Sequence, residues 1–156
     1  ATSIPPNRDH TYATHIFHQT GQKDYDSVKT KVGDRYQSNY EAAPFVSDMP
    51  QLYAKASLVI ARSEALTVSE LIQIGRPAIF VPYHRKGQND QTTNAYLIEK
   101  NGGARVVEQG ENFAQRLEKV LLETFDPSVL ETMNKGYDKL RFPNAVASIV
   151  DLVAKD

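Results

Sequence analysis

The chain has 156 residues, 40% of them hydrophobic, with 18 basic and 19 acidic side chains and no cysteine. That length supports one domain burying roughly 70% of its unfolded surface. The near-neutral charge leaves no electrostatic footprint for nucleic acid, and the lack of thiols excludes disulfides and thiolate zinc sites. The longest apolar runs, such as 78–82, are far too short to span a bilayer, and no apolar signal-peptide core opens the sequence, so a soluble, cytoplasmic chain is expected.

The first stretch, "ATSIPPNRDHTY", is polar and proline-bearing and reads as a loop or linker over 1–13. "THIFHQ" (14–19) reads as a strand closed by Gly21, and "KDYDSVKTKVGD" as a polar helix. A second strand is expected over 43–47, with Pro44 at an edge or at the strand entrance. Ser47 and Asp48 then offer N-caps for "MPQLYAKA", with Pro50 in its first turn. "SLVIA" (57–61) reads as a short buried strand. "ALTVSELIQIG" is helical and stops at Gly75, with Pro77 just beyond. "AIFVP" (78–82) is a fourth strand. The polar loop "YHRKGQN" leads to a helix from about Asp90 that ends near Gly102 and Gly103, and "ARVVE" (104–108) is a fifth strand. Three helices close the chain: one with Phe113, Leu117, Val120 and Leu121 on a single face, one over roughly 127–140, and one with Val146, Ile149, Val150 and Val153 aligned.

Strands alternating with helices imply right-handed crossovers and a parallel sheet covered on both faces, a doubly wound, Rossmann-like α/β domain. Unbroken runs such as "IFV" suit strands buried on two sides. Folds of this type bind ligands beyond the carboxyl ends of their strands, which singles out three loops: around Phe45–Asp48, at 62–65, and at 83–90. The second leads into a helix whose first turn offers unpaired N–H groups and a positive dipole end, suited to phosphate. Thr67 and Glu70, three apart, share a face of that helix, and a carboxylate there is suited to gripping a ribose diol. The same pair also fits a capping box, with Thr67 as the cap and Glu70 reaching back.

Other chemistry is sparse. His15 and His18 face opposite sides of a strand, against a shared metal site. His84 and the run 84–86 read as a solvated loop, and the eight tyrosines form no stacking platform for single-stranded nucleic acid. No metal, no cofactor and no nucleic-acid partner is expected.

The segments "RSEALTVSE", "GRPAIFVPY" and "DQTTNA", with "HQTG" at 18–21, "FVSDM" at 45–49 and "FPNA" at 142–145, resemble the C-terminal half of the peptidoglycan lipid-intermediate N-acetylglucosaminyltransferases, the MurG type. The resemblance runs from about Thr14 to the end. It implies the C-terminal domain of a GT-B glycosyltransferase that inverts configuration while transferring N-acetylglucosamine from its uridine diphosphate conjugate to a lipid-linked muramyl peptide. In this family the C-terminal half holds the donor. By position, Val46 would meet the uracil edge through its backbone, with Phe45 beside it. Ala65, Leu66, Thr67, Val68, Ser69 and Glu70 would line the nucleotide, with Glu70 on the ribose and the backbone at Ala65 to Thr67 near the diphosphate. Gln91 would contact the sugar hydroxyls, with Asp90 and Asn94 nearby and Arg62 and Ser63 in the adjoining turn.

No catalytic residue is expected within this segment. The family's Gly-Gly-Ser-x-Gly-Ala loop and its N-terminal acceptor domain, which meets the lipid-linked acceptor and the membrane, fall outside the sequence, so this chain by itself is expected to be inactive. Within the family a peripheral position on the cytoplasmic face of the inner membrane is implied. Two other readings stand beside this one: a donor-binding subunit that works with a separate acceptor-domain partner, and a non-catalytic domain whose donor site has decayed. Glu64 motivates the last, because the family has glycine there, and glutamate sets a negative charge beside a diphosphate at a cost on the order of 1 kcal/mol or more.

Overall fold

A computed structural model of the chain describes residues 15–33, 39–83 and 90–141. The element order is β1 (Ile16–Gln19), α1 (Tyr25–Val32), β2 (Tyr40–Ala43), α2 (Met49–Lys55), β3 (Val59–Ala61), α3 (Ala65–Ile74), β4 (Ala78–Phe80), α4 (Asp90–Lys100), β5 (Ala104–Val106), α5 (Phe113–Thr124) and α6 (Pro127–Lys135). The chain divides into two compact units, Ala1–Leu52 and Tyr53–Asp156. The expected helix carrying Val146, Ile149, Val150 and Val153 lies outside the described residues.

In the first unit β1 and β2 pair in parallel, in register from Ile16 opposite Tyr40 to Gln19 opposite Ala43, joined by the crossover helix α1. The second strand therefore sits earlier than the 43–47 expected from its apolar residues. Pairing ends at Ala43, just before Pro44, and the Ala43 carbonyl accepts from the Thr20 N–H at 2.9 Å. Phe45 and Val46 fall in the loop beyond, with Phe45 74% exposed. Asp48 caps the start of α2 as anticipated, its Oδ1 accepting from the Gln51 N–H at 3.0 Å.

The second unit is built on a three-stranded parallel sheet in the order β3-β4-β5. The central strand β4 is wholly inaccessible, with Ala78, Ile79 and Phe80 at 0% exposure, which accounts for its unbroken apolar sequence. Helix α3 supplies Val68 and Leu71 to the core, α4 supplies Ala95 and Ile98, and Tyr53, Ala104, Val107, Met133 and Tyr137 complete it. Helix α3 stops at Gly75 in the left-handed conformation (φ 71°), whose N–H returns to the Leu71 carbonyl at 2.8 Å. The apolar face expected on α5 is half-buried along Phe113, Leu117, Val120 and Leu121. Asp126 caps α6 by accepting from the Ser128 N–H at 2.8 Å, with Pro127 in the first turn. Among the described residues no helix is long and apolar enough to cross a membrane.

The backbone approaches another segment closely where α6 ends. A β-carbon at Gly136 would fall onto the backbone of Gly102 and Gly103 and 2.7 Å from the Asn101 carbonyl oxygen. These neighbours are main-chain atoms at the entrance to β5, so they cannot swing aside as a flexible side chain would. Gly136→Ala is therefore expected to destabilise the chain by about 1–3 kcal/mol, the usual cost of overpacking, read as a lowered urea midpoint with an unchanged m-value.

Candidate functional site

Within the second unit, the carboxyl ends of β3 and β4 open onto a cleft of about 390 Å³ lined by Arg62, Glu64, Ala65, Tyr83, Asp90, Gln91 and Asn94. Three segments build it: the turn from β3 into α3, the residues following β4, and the first turns of α4. Parallel strands necessarily end on the same side, and each passes directly into a loop and helix, so polar residues from separate parts of the sequence converge there.

Hydrogen bonds hold these segments together. Ser63, with no solvent exposure, donates from its hydroxyl to the Gln91 carbonyl at 2.6 Å. Asn94 Nδ2 donates to the Ser63 carbonyl at 3.3 Å. The Tyr83 N–H donates to Gln91 Oε1 at 2.9 Å. Since a backbone N–H can only donate, this bond fixes which end of the Gln91 amide faces it, and Gln91 keeps its NH2 group for other acceptors. Arg62 lies over the Tyr83 ring, its guanidinium carbon 5.0 Å from the ring centroid, a cation–π arrangement that restrains a long side chain at the cleft.

Glu64 is the N-cap residue of α3 with ordinary extended backbone (φ −66°, ψ 147°), and its side chain does not cap the helix. The position thus does not call for the conformational freedom of glycine. The glutamate is accommodated without backbone strain and stands exposed on the cleft wall. Beyond it, the first-turn N–H groups of Ala65, Leu66 and Thr67 have no intrahelical acceptor and point out of the helix start.

The capping-box alternative for Thr67 and Glu70 does not hold. The N-cap is Glu64, so Thr67 is already inside the helix. The Glu70 carboxylate instead accepts, through Oε2, from the Tyr53 hydroxyl at 3.2 Å. Tyr53 is 6% exposed. Burial foremost, then the Glu70 charge and its hydrogen bond, push its phenol up from 10.0 to about 12.

Of the residues singled out in the sequence, the cleft brings together Arg62, Glu64, Ala65, Asp90, Gln91 and Asn94. Ser63 turns inward, and its hydroxyl is engaged in the α4 contact. Leu66 is 72% exposed, Val68 packs in the core, and Ser69 donates back to the Ala65 carbonyl at 2.8 Å. Thr67 and Glu70 are both half-buried along α3. Phe45 and Val46 belong to the first unit, in the loop after β2. Sequence reasoning passed over Tyr83 and Tyr53. Tyr83 carried a signal as the first residue after the "IFVP" strand. Tyr53 carried none, because its partner is 17 residues away. Among the described residues no group of three or more His, Asp or Glu side chains is placed to hold a metal ion.

A parallel α/β sheet with its cleft at the strand ends, beside a helix N-terminus, is the architecture of the C-terminal domain of GT-B glycosyltransferases. The crystal structure of Acinetobacter baumannii MurG superposes with a TM-score of 0.82 at 30% identity, covering 91% of this chain and 43% of that one. The kitacinnamycin glycotransferase shares the fold at a TM-score of 0.64 and 22% identity, covering 90% of this chain and 34% of that one. The chain belongs to glycosyltransferase family 28: residues 3–149 match the model of the family's C-terminal domain. Two curated relatives carry the name UDP-N-acetylglucosamine:N-acetylmuramyl-(pentapeptide) pyrophosphoryl-undecaprenol N-acetylglucosamine transferase. The Blochmanniella pennsylvanica protein is 33% identical over 138 residues, 88% of this chain. The Brucella canis protein is 36% identical over 145 residues, 92% of this chain. The chain spans about two fifths of the length of these relatives, 39% and 38% respectively.

The raised Tyr53 phenol has a consequence for stability. The folded state holds this proton more tightly than the unfolded state, so the contribution is intact below about pH 10 and is lost as pH rises through about 12. Melting temperatures of the native chain are therefore expected to fall more steeply between these limits than those of Tyr53→Phe, which lacks the ionising group.

Proposed function

We propose that this chain is the donor-binding half of an inverting glycosyltransferase, which transfers N-acetylglucosamine from its uridine diphosphate conjugate to a lipid-linked muramyl peptide during peptidoglycan synthesis. The observation that carries the reading is the cleft at the β3 and β4 strand ends, where the α3 N-terminus, Arg62 and the Gln91 amide converge. Family membership and the names of the relatives supply the substrate class.

Transfer with inversion is a single displacement: an acceptor hydroxyl attacks the anomeric carbon as uridine diphosphate departs. The leaving group gains negative charge as the bond breaks. Backbone N–H groups of the α3 first turn and the Arg62 guanidinium stabilise that charge more than the ground state, which is how a donor domain accelerates the step. Gln91, with its carbonyl oxygen held by the Tyr83 N–H, presents its NH2 donors to sugar hydroxyls, and Glu70 accepts from the ribose. The acceptor and the base belong to an N-terminal domain, and the full protein works as a peripheral protein on the cytoplasmic face of the membrane that holds its acceptor lipid. Without that domain the reacting atoms are not brought together, and the chain alone is inactive.

Calorimetric titration tests donor binding. Uridine diphosphate is expected to bind, weakly, and better than adenosine diphosphate, and Glu70→Ala is expected to cost roughly 1–3 kcal/mol, typical of a lost charge-assisted hydrogen bond. Equal affinity for the two nucleotides would count against a uridine site.

A second reading, a donor site that has decayed, is favoured by Glu64 on the cleft wall. If the cleft receives a diphosphate, Glu64→Gly tightens uridine diphosphate binding, by more than it tightens uridine, and the gain shrinks as salt screens exposed charge. Glycine adds backbone freedom at the helix start, worth about 0.5–1 kcal/mol of stability, so melting is measured alongside. A variant that melts normally and binds both ligands as before would remove phosphate from this turn.

A further inference from the structure

We infer that Tyr53 is a positioning residue for donor recognition: its buried hydroxyl fixes the Glu70 carboxylate in the orientation that accepts a ribose diol. The inference rests on the donor-binding reading above and adds a residue that contacts no ligand itself.

Glu70 alone is poorly suited to a bidentate task. A glutamate has three rotatable bonds, and gripping two vicinal hydroxyls requires both carboxylate oxygens to be correctly presented at once. Glu70 is half-buried on α3, and its Oε2 accepts from the Tyr53 hydroxyl at 3.2 Å. A carboxylate has about four acceptor positions, so one phenolic bond leaves room for a diol while removing the freedom of the group to rotate.

The donor is itself anchored. The Tyr53 ring is 6% exposed, and its carbonyl accepts from the Ala56 N–H at 3.2 Å where α2 ends. The next carbonyl, that of Ala54, accepts from Arg76 Nη2 at 2.8 Å. Arg76 follows α3, so the segment carrying Tyr53 is tied to α3 twice: by its backbone at the far end of the helix, and by the phenol at Glu70. The elevated phenol keeps its proton throughout the physiological range and therefore remains a donor. A tyrosine kept only for packing would satisfy a buried hydroxyl with any nearby carbonyl. Here its partner is the one carboxylate of α3, on the same face as Thr67.

The test compares uridine diphosphate with its 2′,3′-dideoxy analogue, which lacks the diol, on the full chain by calorimetry with melting measured in parallel. The native chain is expected to prefer the ribonucleotide. Tyr53→Phe is expected to lose about 3–10-fold in affinity for uridine diphosphate, with no change for the dideoxy analogue. In a Glu70→Ala background, adding Tyr53→Phe is expected to change neither affinity. Equal losses for both nucleotides would mean a general structural defect and would overturn the inference, as would an unchanged preference for the diol in a normally folded Tyr53→Phe variant. If the native chain binds both nucleotides alike, or neither, it is the ribose assignment of Glu70 and the donor reading that fail. Should Tyr53→Phe not fold, 3-fluorotyrosine labelling of the native chain replaces it. The residue 53 resonance then shifts on saturation with uridine diphosphate and not with the dideoxy analogue, and equal responses overturn the inference.

Discussion

The bond from the Ser63 hydroxyl, a residue with no solvent exposure, to the Gln91 carbonyl is 2.6 Å long and joins two of the segments that form the cleft. It links the turn after β3 to the first turn of α4, and the Asn94 amide closes the same junction from the other side by donating to the Ser63 carbonyl. A buried hydroxyl costs on the order of 1–3 kcal/mol if left unpaired, so the contact with α4 is what satisfies Ser63 in the interior. The turn that carries Arg62 and Glu64 and the helix that carries Gln91 and Asn94 meet at that junction.

This arrangement divides labour within a short motif. In the turn at 62–65, alternate residues point in different directions: Arg62 and Glu64 stand on the cleft, while Ser63 enters the interior. The two cleft residues have opposite charge, and the helix start between them and the core adds a positive dipole end. An anion therefore meets an attractive backbone with one favourable and one unfavourable side chain. The balance is set by how each side chain is held. Arg62 is restrained over the Tyr83 ring, whereas Glu64, exposed and not engaged in capping, is free to turn toward solvent.

Behind the cleft, the second unit has little slack. The central strand is sealed on both faces, and the Tyr137 ring packs so closely on Gly103 that a β-carbon there would lie 2.8 Å from it. Gly136 meets the same segment backbone to backbone. Burial of Tyr137 pushes its phenol well above the usual range, consistent with a ring held for its volume. The rigid floor matters for function because a ligand-binding turn is only as well placed as the strands that present it.

Much of this architecture was legible in the order of the residues. The helix over 65–74 followed from apolar spacing and from Gly75 with Pro77 as a stop, and the strand at 78–80 from an apolar run too short for a helix. The cap at Asp48 was equally local. The second strand was misplaced because the large apolar side chains Phe45 and Val46 lie in the loop after it, while the paired residues Tyr40–Ala43 are less apolar. The motif at 62–70 and the residues 90–94 were recognisable as candidate site residues, since resemblance preserves residue types at fixed spacing. What spacing does not contain is which side chains meet. Ser63 and Gln91 are 28 residues apart, and Tyr53 and Glu70 are 17 apart. The sequence alone left Glu70 equally suited to capping its own helix or to facing a ligand. Only the tertiary structure, which brings Tyr53 to α3, decided that it would accept from a buried phenol, because a hydrogen bond depends on where atoms lie in space, and periodicity determines that only within a single element.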